Sequence, residues 1–506
     1  MKSVNRFYAF VAVLLIFISS VAMTGCKRFL DTQAQGSYNL DNYPYPGGSG
    51  PYDQFIFAAY NDLRSFNVHS QSYISAMFRS DDADKGSTPA DGGANAIDMD
   101  NFPVQPSNGF CNTLWVGNYA LINKCNTTII QVVNNKEIVA PDQVKAQTIA
   151  EAKFIRAYGY FNLVRFFGRV PLVDTGVTGN IPQSTAAQVY AFIESDLTYA
   201  AANLPLNWDP KFAGRVTRGA ANALLAKVYL TQQKWAMAMA AANTVMISGQ
   251  YNLTTTYDKI FREEGENSPE SVFEVQATAS AAIPSNNGVQ YAQIQGVRGA
   301  GAWDLGWGWN TPSTSLEAAY EPNDPRKART ILYTSPGSTT IYGEALPAGL
   351  PNPRYNNKVY TNPALRASIG NRFGYWMNVR IIRFADVVLM YAEAANEVGG
   401  AANITAAQNA LNSIRARARI GAPVGTLPDV ITTDQNTLRD AIRQERRVEL
   451  GMEHDRFFDL VRWGIAQTVL NAAGKPNFSN ARDVLLPIPQ TQIDLSQGVL
   501  TKNPGY

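Results

Sequence analysis

Apolar residues recur every three or four positions along much of this chain, which is the spacing of an amphipathic helix. The pattern is strongest over residues 142–167, and it stops at Gly168 and Pro171, both of which are residue types that end helices. We therefore predict a helix over that whole segment. The same spacing predicts further helices over residues 53–66, 115–133 and 186–204. The chain is predicted to be mainly α-helical.

Small and large apolar residues are also arranged as they are in tetratricopeptide repeats. The clearest unit is residues 217–247, in which Ala226 and Tyr229 occupy the small and large positions of the repeat. The small residue lets two antiparallel helices approach, and the tyrosine fills the gap between them. Weaker copies occur around Ala157 and around Ala392. We therefore predict a solenoid of stacked helix pairs as the scaffold.

Two long stretches, residues 277–315 and 334–375, carry many Gly, Ser, Asn or Pro residues and no helical pattern. Stretches of this length are too long for simple connections, and such segments often carry function on a rigid scaffold. We predict an N-terminal helical region at residues 52–275, a loop-rich insertion with the ligand surface at 276–380, and a C-terminal helical region at 381–506.

The first 25 residues have the features of an export leader. Lys2 and Arg6 supply its positive charge, and the unbroken apolar run of twelve residues that follows is too short for a membrane-spanning helix. The apolar run gives way to smaller residues that lead to Gly25-Cys26, which resembles the lipobox of bacterial lipoproteins. We expect residues 1–25 to be a lipoprotein signal peptide and Cys26 to carry the lipid. The alternative is an ordinary cleaved signal followed by an incidental cysteine.

The lipid expected on Cys26 would make the membrane itself a partner, because several buried acyl chains anchor a protein stably. An aspartate after the cysteine would resemble an inner-membrane retention signal, and the residue there is Lys27, which favours the outer membrane. Residues 26–51 are polar and rich in Gly, Pro, Tyr and Asn, so they are predicted to form a tether between lipid and body.

The composition of the chain mainly serves to exclude several classes of function. The 506 residues include 43 Lys and Arg against 41 Asp and Glu, and loss of Lys2 and Arg6 with the leader leaves 41 of each. The mature chain then has no net charge and no basic footprint for a nucleic acid. Its two histidines, His69 and His454, argue against histidine-rich metal sites. No motif of a serine hydrolase, a P-loop or a zinc protease occurs in the sequence.

One acidic cluster could at first sight serve a glycoside hydrolase. Glu445, Glu449 and Glu453 are four positions apart, as on one helix face, and two such carboxylates could act as acid and base. Arginines are interleaved with them, and a neighbouring arginine lowers the pKa that a catalytic acid needs raised. We therefore predict an ion-pair lattice that fixes the C-terminal helix to the scaffold, and no catalytic residue. The interleaved charges are Arg446, Arg456, Asp459 and Arg462.

A second acidic cluster, formed by Asp81, Asp82 and Asp84, lies in a polar segment. Calcium takes oxygen ligands from such loops, but the glutamate that completes an EF-hand is missing. We interpret the cluster as loop capping, with structural calcium as the alternative, and we expect no other metal and no cofactor.

Several segments of the chain resemble the SusD/RagB family of outer-membrane lipoproteins from Bacteroidetes. The helix signatures are EAKFIRAYGYFNLVRFFGRVPLV at 151–173, RFADVVLMYAEAANEVG at 383–399 and RQERRVELGMEHDRFFDLVRWG at 443–464. Residues 306–326, GWGWNTPSTSLEAAYEPNDPR, and the ending LPIPQTQIDLSQGVLTKNPGY also resemble family segments, as does CKRFLD after the leader. The resemblance covers essentially the whole mature chain, with the motifs in the family's order.

The resemblance implies a helical fold with four tetratricopeptide-like units and a variable, loop-rich second half. It also implies a protein on the cell exterior that sits as a lid on a SusC-like TonB-dependent transporter. Ligands in the family are mostly glycans, and some members serve peptides. Membership alone does not name the ligand.

The aromatic loop inside residues 277–315 is the best candidate for ligand binding. A sugar ring stacks on an aromatic face because its C–H groups are weakly positive and the face is negative, while amide and charged groups bind the hydroxyls. The candidates with this composition are Trp303, Tyr291, Arg298 and Asp304. Trp307 and Trp309 lie in a family-like segment and are interpreted as packing residues. By the resemblance, further candidates in the early loop region are Arg79, Asp81 and Asn108.

These features favour a glycan-binding lipoprotein that delivers its ligand to a SusC-like transporter without catalysis. A family member that captures peptides or another nutrient is the first alternative, and it would replace the aromatic platform with an apolar or charged groove. A lipid-anchored glycoside hydrolase is the second, and it would need two carboxylates about 5–9.5 Å apart in a cleft. An adaptor that binds proteins with the solenoid's concave face is the third.

Overall fold

The structure is a computed structural model that describes residues 50–175, 179–285, 287–453 and 455–506. The predicted leader, Cys26 and most of the predicted tether lie outside the described residues, as does His454. Everything below concerns the compact unit Tyr52–Tyr506.

The described residues are mainly helical, with short strands. The helices are α1 (Asp53–Leu63), α2 (Phe66–His69), α3 (Gln71–Met77), α4 (Gly93–Asn101), α5 (Gly109–Asn134), α6 (Asp142–Phe167), α7 (Ala186–Asn203), α8 (Arg218–Thr231), α9 (Trp235–Met246), α10 (Tyr257–Ile260), α11 (Tyr291–Gln295), α12 (Thr314–Ala319), α13 (Arg326–Thr330), α14 (Pro363–Ile369), α15 (Phe384–Val398), α16 (Ala401–Ala418), α17 (Gln435–Leu450), α18 (Arg456–Arg462), α19 (Ala466–Ala472) and α20 (Gln490–Leu495). The strands are β1 (Ala83–Gly86), β2 (Val170–Pro171), β3 (Gln183–Ser184), β4 (Ser271–Val275), β5 (Trp309–Pro312), β6 (Ile331–Tyr333), β7 (Arg354–Asn356) and β8 (Val379–Arg383).

The helices predicted from the apolar spacing are present, although α1 ends at Leu63, three residues before its predicted end. Helix α6 covers the predicted segment, and α7 ends one residue before its predicted end. Helix α5 begins at Gly109, six residues before the predicted start, because the side chain of Asn108 accepts a hydrogen bond from the Phe110 N–H at 3.0 Å and caps it. None of the helices in the described ranges is both long and apolar enough to cross a membrane.

The long helices form one stack in which each packs on the next. Helix α5 packs on α6, α6 on α7, α7 on α8 and α8 on α9. The stack then continues from α9 to α15 and from α15 to α16, although more than a hundred residues separate α9 from α15 along the chain. Ala157, Ala226 and Ala392 are fully buried at these contacts, as the repeat pattern predicts. The predicted mainly α, tetratricopeptide-like scaffold is confirmed.

The strands pair in four antiparallel two-stranded sheets within the described residues, β1 with β5, β2 with β3, β4 with β8 and β6 with β7. The sequence gives no periodic signal for α11 or for β5 inside 277–315. These elements are short, and their positions are set by distant partners such as β1, so no local pattern encodes them. The β4–β8 pair brings together the two ends of the loop-rich insertion.

A fully buried carboxylate, Glu449 on α17, organises the second half of the fold. It lies 3.1 Å from Arg326, 3.0 Å from Arg383 and 2.6 Å from Arg417, which belong to α13, β8 and α16. Glu270, which precedes β4, pairs with Arg383 at 2.6 Å and with Arg417 at 2.7 Å. We call these five residues the Glu449 network. They join five segments of the chain in one set of charge-assisted hydrogen bonds.

The other two glutamates of the predicted lattice extend this network. Glu445 pairs with Arg326 at 2.5 Å and with Arg415 at 2.9 Å. Glu453 pairs with Arg383 at 2.6 Å, but it follows the end of α17 in a turn, so its predicted place on the helix was wrong. The predicted ion-pair lattice itself is present.

A second set of buried charges joins the N-terminal and C-terminal helices. Arg446 on α17 pairs with Asp386 on α15 at 2.6 Å, and Lys227 on α8 pairs with the same carboxylate at 2.7 Å. Arg165 on α6 pairs with Asp455 at 2.9 Å, and Lys227 also binds Asp455. Four helices and the start of α18 are thereby held in one arrangement.

The pKa values of two lattice glutamates, Glu449 and Glu453, run against the hydrolase alternative. Burial alone would raise the pKa of Glu449, but the charges of Arg417, Arg383 and Arg326 outweigh it and hold the pKa well below its usual range. Glu453 behaves in the same way, because Arg383 outweighs the effect of its burial. A catalytic acid needs a raised pKa.

Replacing Glu449 with glutamine should destabilise the fold strongly, because three guanidinium groups would lose a shared counter-charge inside the protein. Removal of one partner from a buried ion pair costs about 3–5 kcal/mol. Chemical denaturation of the Glu449→Gln variant should show a loss of this size. The control is Asp440→Asn, which changes an exposed carboxylate on the same helix and should alter stability by at most about 0.5 kcal/mol.

The pH dependence gives a second readout for the same variant. Because the folded-state pKa of Glu449 is lowered, its stabilisation is fully present above the unfolded pKa of about 4.5 and is lost as the pH falls towards the folded value. The gap in unfolding free energy between wild type and Glu449→Gln should therefore narrow at acid pH. A gap that is constant from neutral to acid pH would contradict the assigned charge state.

Candidate functional site

The aromatic loop predicted as the ligand surface runs from α11 to β5 and is held by its own backbone. The N–H of Leu305 donates to the carbonyl of Val297 at 3.0 Å, and that of Trp307 donates to the carbonyl of Gln293 at 2.9 Å. A side chain at Gly306 could not be accommodated, since its Cβ would lie 2.1 Å from the Gln293 oxygen. The loop is therefore a fixed platform.

Trp303 ends a short 3₁₀ turn, Gly301–Trp303, at the tip of this loop. Its indole packs on a small apolar cluster while the residue stays partly exposed. The buried members of that cluster are Val297, Leu305, Leu332, Leu346, Tyr355 and Tyr360. One part of the ring is thus anchored, and the rest faces outward.

Charged residues that precede and follow Trp303 in the sequence are held in ion pairs. Arg298 Nε lies 2.9 Å from Asp91, which also accepts hydrogen bonds from Ser87 at 2.6 Å and Thr88 at 2.9 Å. The Ser87 hydroxyl is the main cause of a lowered pKa at Asp91, so this carboxylate stays charged beside Arg298.

The second ion pair brings in a distant part of the insertion. Asp304 pairs with Arg372 at 2.6 Å, and both side chains are well exposed. The Arg372 guanidinium lies 4.9 Å from the ring centre of Phe373, and Phe373 stacks against Tyr375 at 5.8 Å. The Tyr375 hydroxyl donates to Gln293 at 2.7 Å.

We name the set Arg298, Trp303, Asp304, Asp91, Arg372, Phe373 and Tyr375 the loop surface. It offers partly exposed aromatic rings beside guanidinium and carboxylate groups that are paired with one another. Its positive and negative charges balance, so it is suited to a neutral ligand rich in hydroxyls rather than to a strongly charged one.

Four of the predicted candidates lie inside the protein instead. Tyr291 is buried in the main core, and burial raises its pKa. Arg79 donates to the carbonyl of Asp483 at 2.5 Å and lies 4.3 Å from the ring centre of Phe457. These two side chains are enclosed by protein atoms and are not part of the loop surface.

The other two buried candidates have structural partners as well. Asp81 pairs with Arg456 at 2.7 Å and with Arg447 at 2.9 Å. Asn108 caps α5, and its amide donates to the carbonyl of Asn95 at 3.0 Å. The expectation that they face a ligand is not supported by this placement, and a ligand role for them stays a prediction of the resemblance alone.

The three carboxylates considered as calcium ligands also differ in their placement. Asp82 joins Asp81 in binding Arg447, at 2.8 Å, while Asp84 is exposed on β1. Within the described ranges no three His, Cys, Asp or Glu side chains lie together as a metal site would require. Two of the three expected ligands are therefore engaged by arginines.

The sequence did not predict four members of the loop surface, namely Arg372, Phe373, Tyr375 and Asp91. Arg372 lies 68 residues from its partner Asp304, and Asp91 lies 207 residues from Arg298. Residues this far apart in the chain produce no local sequence pattern that would reveal that they pair. The one available signal was an Arg-Phe-Gly-Tyr run in an otherwise Gly-, Asn- and Pro-rich stretch.

The described residues thus form a tetratricopeptide-like helical scaffold that carries a loop surface of aromatic and paired charged side chains. Residues 269–506 match the family model described as "SusD family", and residues 58–230 match the one described as "Starch-binding associating with outer membrane". The chain belongs to the SusD/RagB family.

Relatives of similar length support this membership. The chain is 28% identical to "SusD-like protein P2" of Formosa agariphila over an alignment of 467 residues, and the match covers 86% of this chain and 88% of that protein. It is 27% identical to a "SusD-like protein" of Bacteroides ovatus over 381 residues, 69% of this chain and 65% of the other.

Solved structures have the same fold. A "Laminarin binding SusD-like protein" superposes with a TM-score of 0.77 at 27% identity, covering 90% of this chain and 99% of that one. "Surface glycan-binding protein A" from Bacteroides fluxus gives a TM-score of 0.75 at 25% identity, with 90% and 99% covered.

Buried Arg79 and exposed Arg372 should differ in how much each contributes to the free energy of unfolding. Arg79→Met removes a buried donor and a cation–π contact and should lower the unfolding free energy by about 2 kcal/mol or more. Arg372→Met breaks an exposed ion pair and should cost at most about 1 kcal/mol. Urea denaturation of both variants tests this, and equal stability of the two would contradict the assignment of Arg79 as a structural residue.

Proposed function

We propose that this protein binds a neutral glycan at the loop surface, without catalysis, and passes it to a SusC-like TonB-dependent transporter. The observation that carries the proposal is the partly exposed indole of Trp303, on a loop whose residues Arg298 and Asp304 are held in the ion pairs Arg298–Asp91 and Asp304–Arg372. Stacking of a sugar ring on the indole uses dispersion and C–H contacts, and the flanking charged groups hydrogen-bond to hydroxyls.

The comparisons support the ligand class. The laminarin-binding protein at 27% identity and the surface glycan-binding protein at 25% identity share the scaffold over nine tenths of this chain. The loop surface has two ion pairs of opposite charges, Arg298–Asp91 and Asp304–Arg372, and so lacks the strong net charge expected of a charged peptide groove.

The absence of catalysis is supported by the charge state of the acidic cluster. Glu449 and Glu453 have lowered pKa values and are locked to arginines, whereas hydrolysis of a glycoside needs a protonated carboxyl near neutral pH. At the loop surface, Asp91 and Asp304 are each paired with an arginine.

Affinity electrophoresis tests the ligand and the site together. The full chain should be retarded in native gels that contain one of laminarin, starch, xylan or mannan, and Trp303→Ala should weaken the retardation about tenfold, since stacking contributes on the order of 1.4 kcal/mol. Phe66→Ala, which removes an exposed aromatic ring from helix α2, is the matched control and should behave as wild type.

Three results would contradict the proposal. If no neutral glycan in a broad panel retards the protein, the ligand is a peptide or another nutrient. If reducing ends are released from a retarding glycan, the protein is an enzyme. Retardation that Trp303→Ala leaves unchanged would move the site away from the loop surface.

The anchor and the transporter can be tested in one preparation. We propose that Cys26 carries lipid in the outer membrane with the body on the cell exterior. A tagged chain extracted from the native bacterium should partition into the detergent phase and co-purify with a TonB-dependent transporter, whereas Cys26→Ala should appear in the aqueous phase. Detergent partitioning of the variant would refute the anchor, and extraction without any transporter would refute the partnership.

A further inference from the structure

A cavity of about 360 Å³ lies away from the loop surface, among three segments of the helical scaffold. Its walls are the loop that leads into α8, the turn after α9 and the segment that leads into β4. We call it the Trp208 cavity, after the aromatic residue in its wall. Its volume is within the range of sites that hold small molecules, and none of the loop-surface residues lines it.

The indole of Trp208 is fixed from the protein side. Its Nε1–H donates to the carbonyl of Val216 at 2.8 Å, and the Arg215 guanidinium lies 4.2 Å from its ring centre. Phe212 meets it edge-on, with ring centres 6.4 Å apart. Trp208 is nevertheless only partly buried and lines the cavity. A ring that is already immobile loses little conformational entropy when a ligand binds to it.

The two buried charged groups in the wall, Arg215 and Glu274, are already neutralised. Arg215 pairs with Glu151 through two hydrogen bonds, one of them 2.9 Å long, and lies 3.6 Å from Asp53. Glu274 is buried, lies 3.6 Å from Arg380 and accepts a hydrogen bond from Asn378 at 2.9 Å. The third charged group of the wall, Asp209, is an exposed carboxylate that accepts a hydrogen bond from the Lys211 N–H at 3.1 Å. Because Arg215 is already paired, the lining offers no free cation to an anionic ligand, whereas a carboxylate accepts hydrogen bonds from hydroxyls. The cavity is therefore suited to a neutral ligand rich in hydroxyls.

The remaining polar groups of the wall are amides and hydroxyls. Asn207 and Gln250 meet each other at 3.5 Å, the upper limit of a hydrogen bond. The hydroxyls of Thr217 and Tyr251 share one hydrogen bond of 2.7 Å. Such groups keep donor or acceptor positions for a ligand, and each is both donor and acceptor, as sugar hydroxyls are.

From these observations we infer that the Trp208 cavity is a second binding site, for a short neutral saccharide, separate from the loop surface. The fixed indole is the stacking face, and the amides of Asn207 and Gln250 bind hydroxyl groups at the rim. The choice of a saccharide over another neutral polyol rests on the proposed function, while the existence of the site rests on the cavity itself.

The test is hydrogen–deuterium exchange of the full purified chain with laminaritriose, maltotriose or cellotriose at millimolar concentration. At least one trisaccharide should slow exchange in peptides from residues 204–217 and 248–253. This protection should persist in Trp303→Ala and in Trp208→Phe, which keeps a flat ring. In Trp208→Ala, the trisaccharide concentration that gives half-maximal protection should rise about tenfold.

A milder variant guards against an effect of misfolding. Asn207→Ala removes an exposed amide whose hydrogen bond to Gln250 is at the distance limit, so the fold should be unchanged by circular dichroism while saccharide protection at 204–217 weakens. Protection that is the same in wild type, Trp208→Ala and Asn207→Ala would overturn the inference.

The outcomes separate this inference from the proposed function. Protection at residues 298–304 and 371–376 without protection at 204–217 overturns the second site and leaves the loop surface standing. Protection at 204–217 alone supports the second site and contradicts the loop surface. If no trisaccharide protects either region, the second site is refuted, and the polysaccharide gels then decide the loop surface by themselves.

Discussion

Glu449 meets three guanidinium groups in the interior, and the arrangement of the second half of the fold depends on that contact. Its partners Arg326, Arg383 and Arg417 come from a helix, a strand and another helix, each of which brings a segment distant in sequence. Buried charges repay their desolvation only when the geometry is good, and a misplaced element would leave one of them unpaired. The network therefore favours one register of these elements over others.

The same contact explains how a scaffold can carry a long irregular insertion. Glu270 lies just before β4 and Arg383 is the last residue of β8, so their ion pair of 2.6 Å closes the insertion at its base, beside the β4–β8 pairing. The helix stack then passes directly from α9 to α15. Because the ends of the insertion are fixed, its loops can differ in length and sequence without disturbing the helices, and ligand specificity can be placed there.

The helices and the acidic lattice could be predicted because their signals are local. Apolar spacing places α6, and the interleaving of glutamate and arginine around residue 449 predicts ion pairs. Trp303 was predicted as a loop aromatic, and its partly exposed position agrees with that role. The burial of Arg79 and Asp81 could not be predicted, since a polar residue in a loop-like segment gives no sign that a distant aromatic or arginine will enclose it. Arg372 and Phe373 reach the loop surface only through tertiary folding, as does the wall of the Trp208 cavity.

Two sites on one rigid scaffold would change what the protein selects. Glu274 of β4 lines the Trp208 cavity and accepts a hydrogen bond from Asn378, which is three residues from Tyr375 of the loop surface. The two sites are thus connected through one hydrogen bond and a few residues of chain. A polymer long enough to reach both would bind its second site at a high effective concentration, and its overall affinity would exceed that of either contact alone. A short oligosaccharide would gain nothing from the pair. Binding of this kind would favour capture of long chains and release of short ones, as the proposed transfer to a transporter requires.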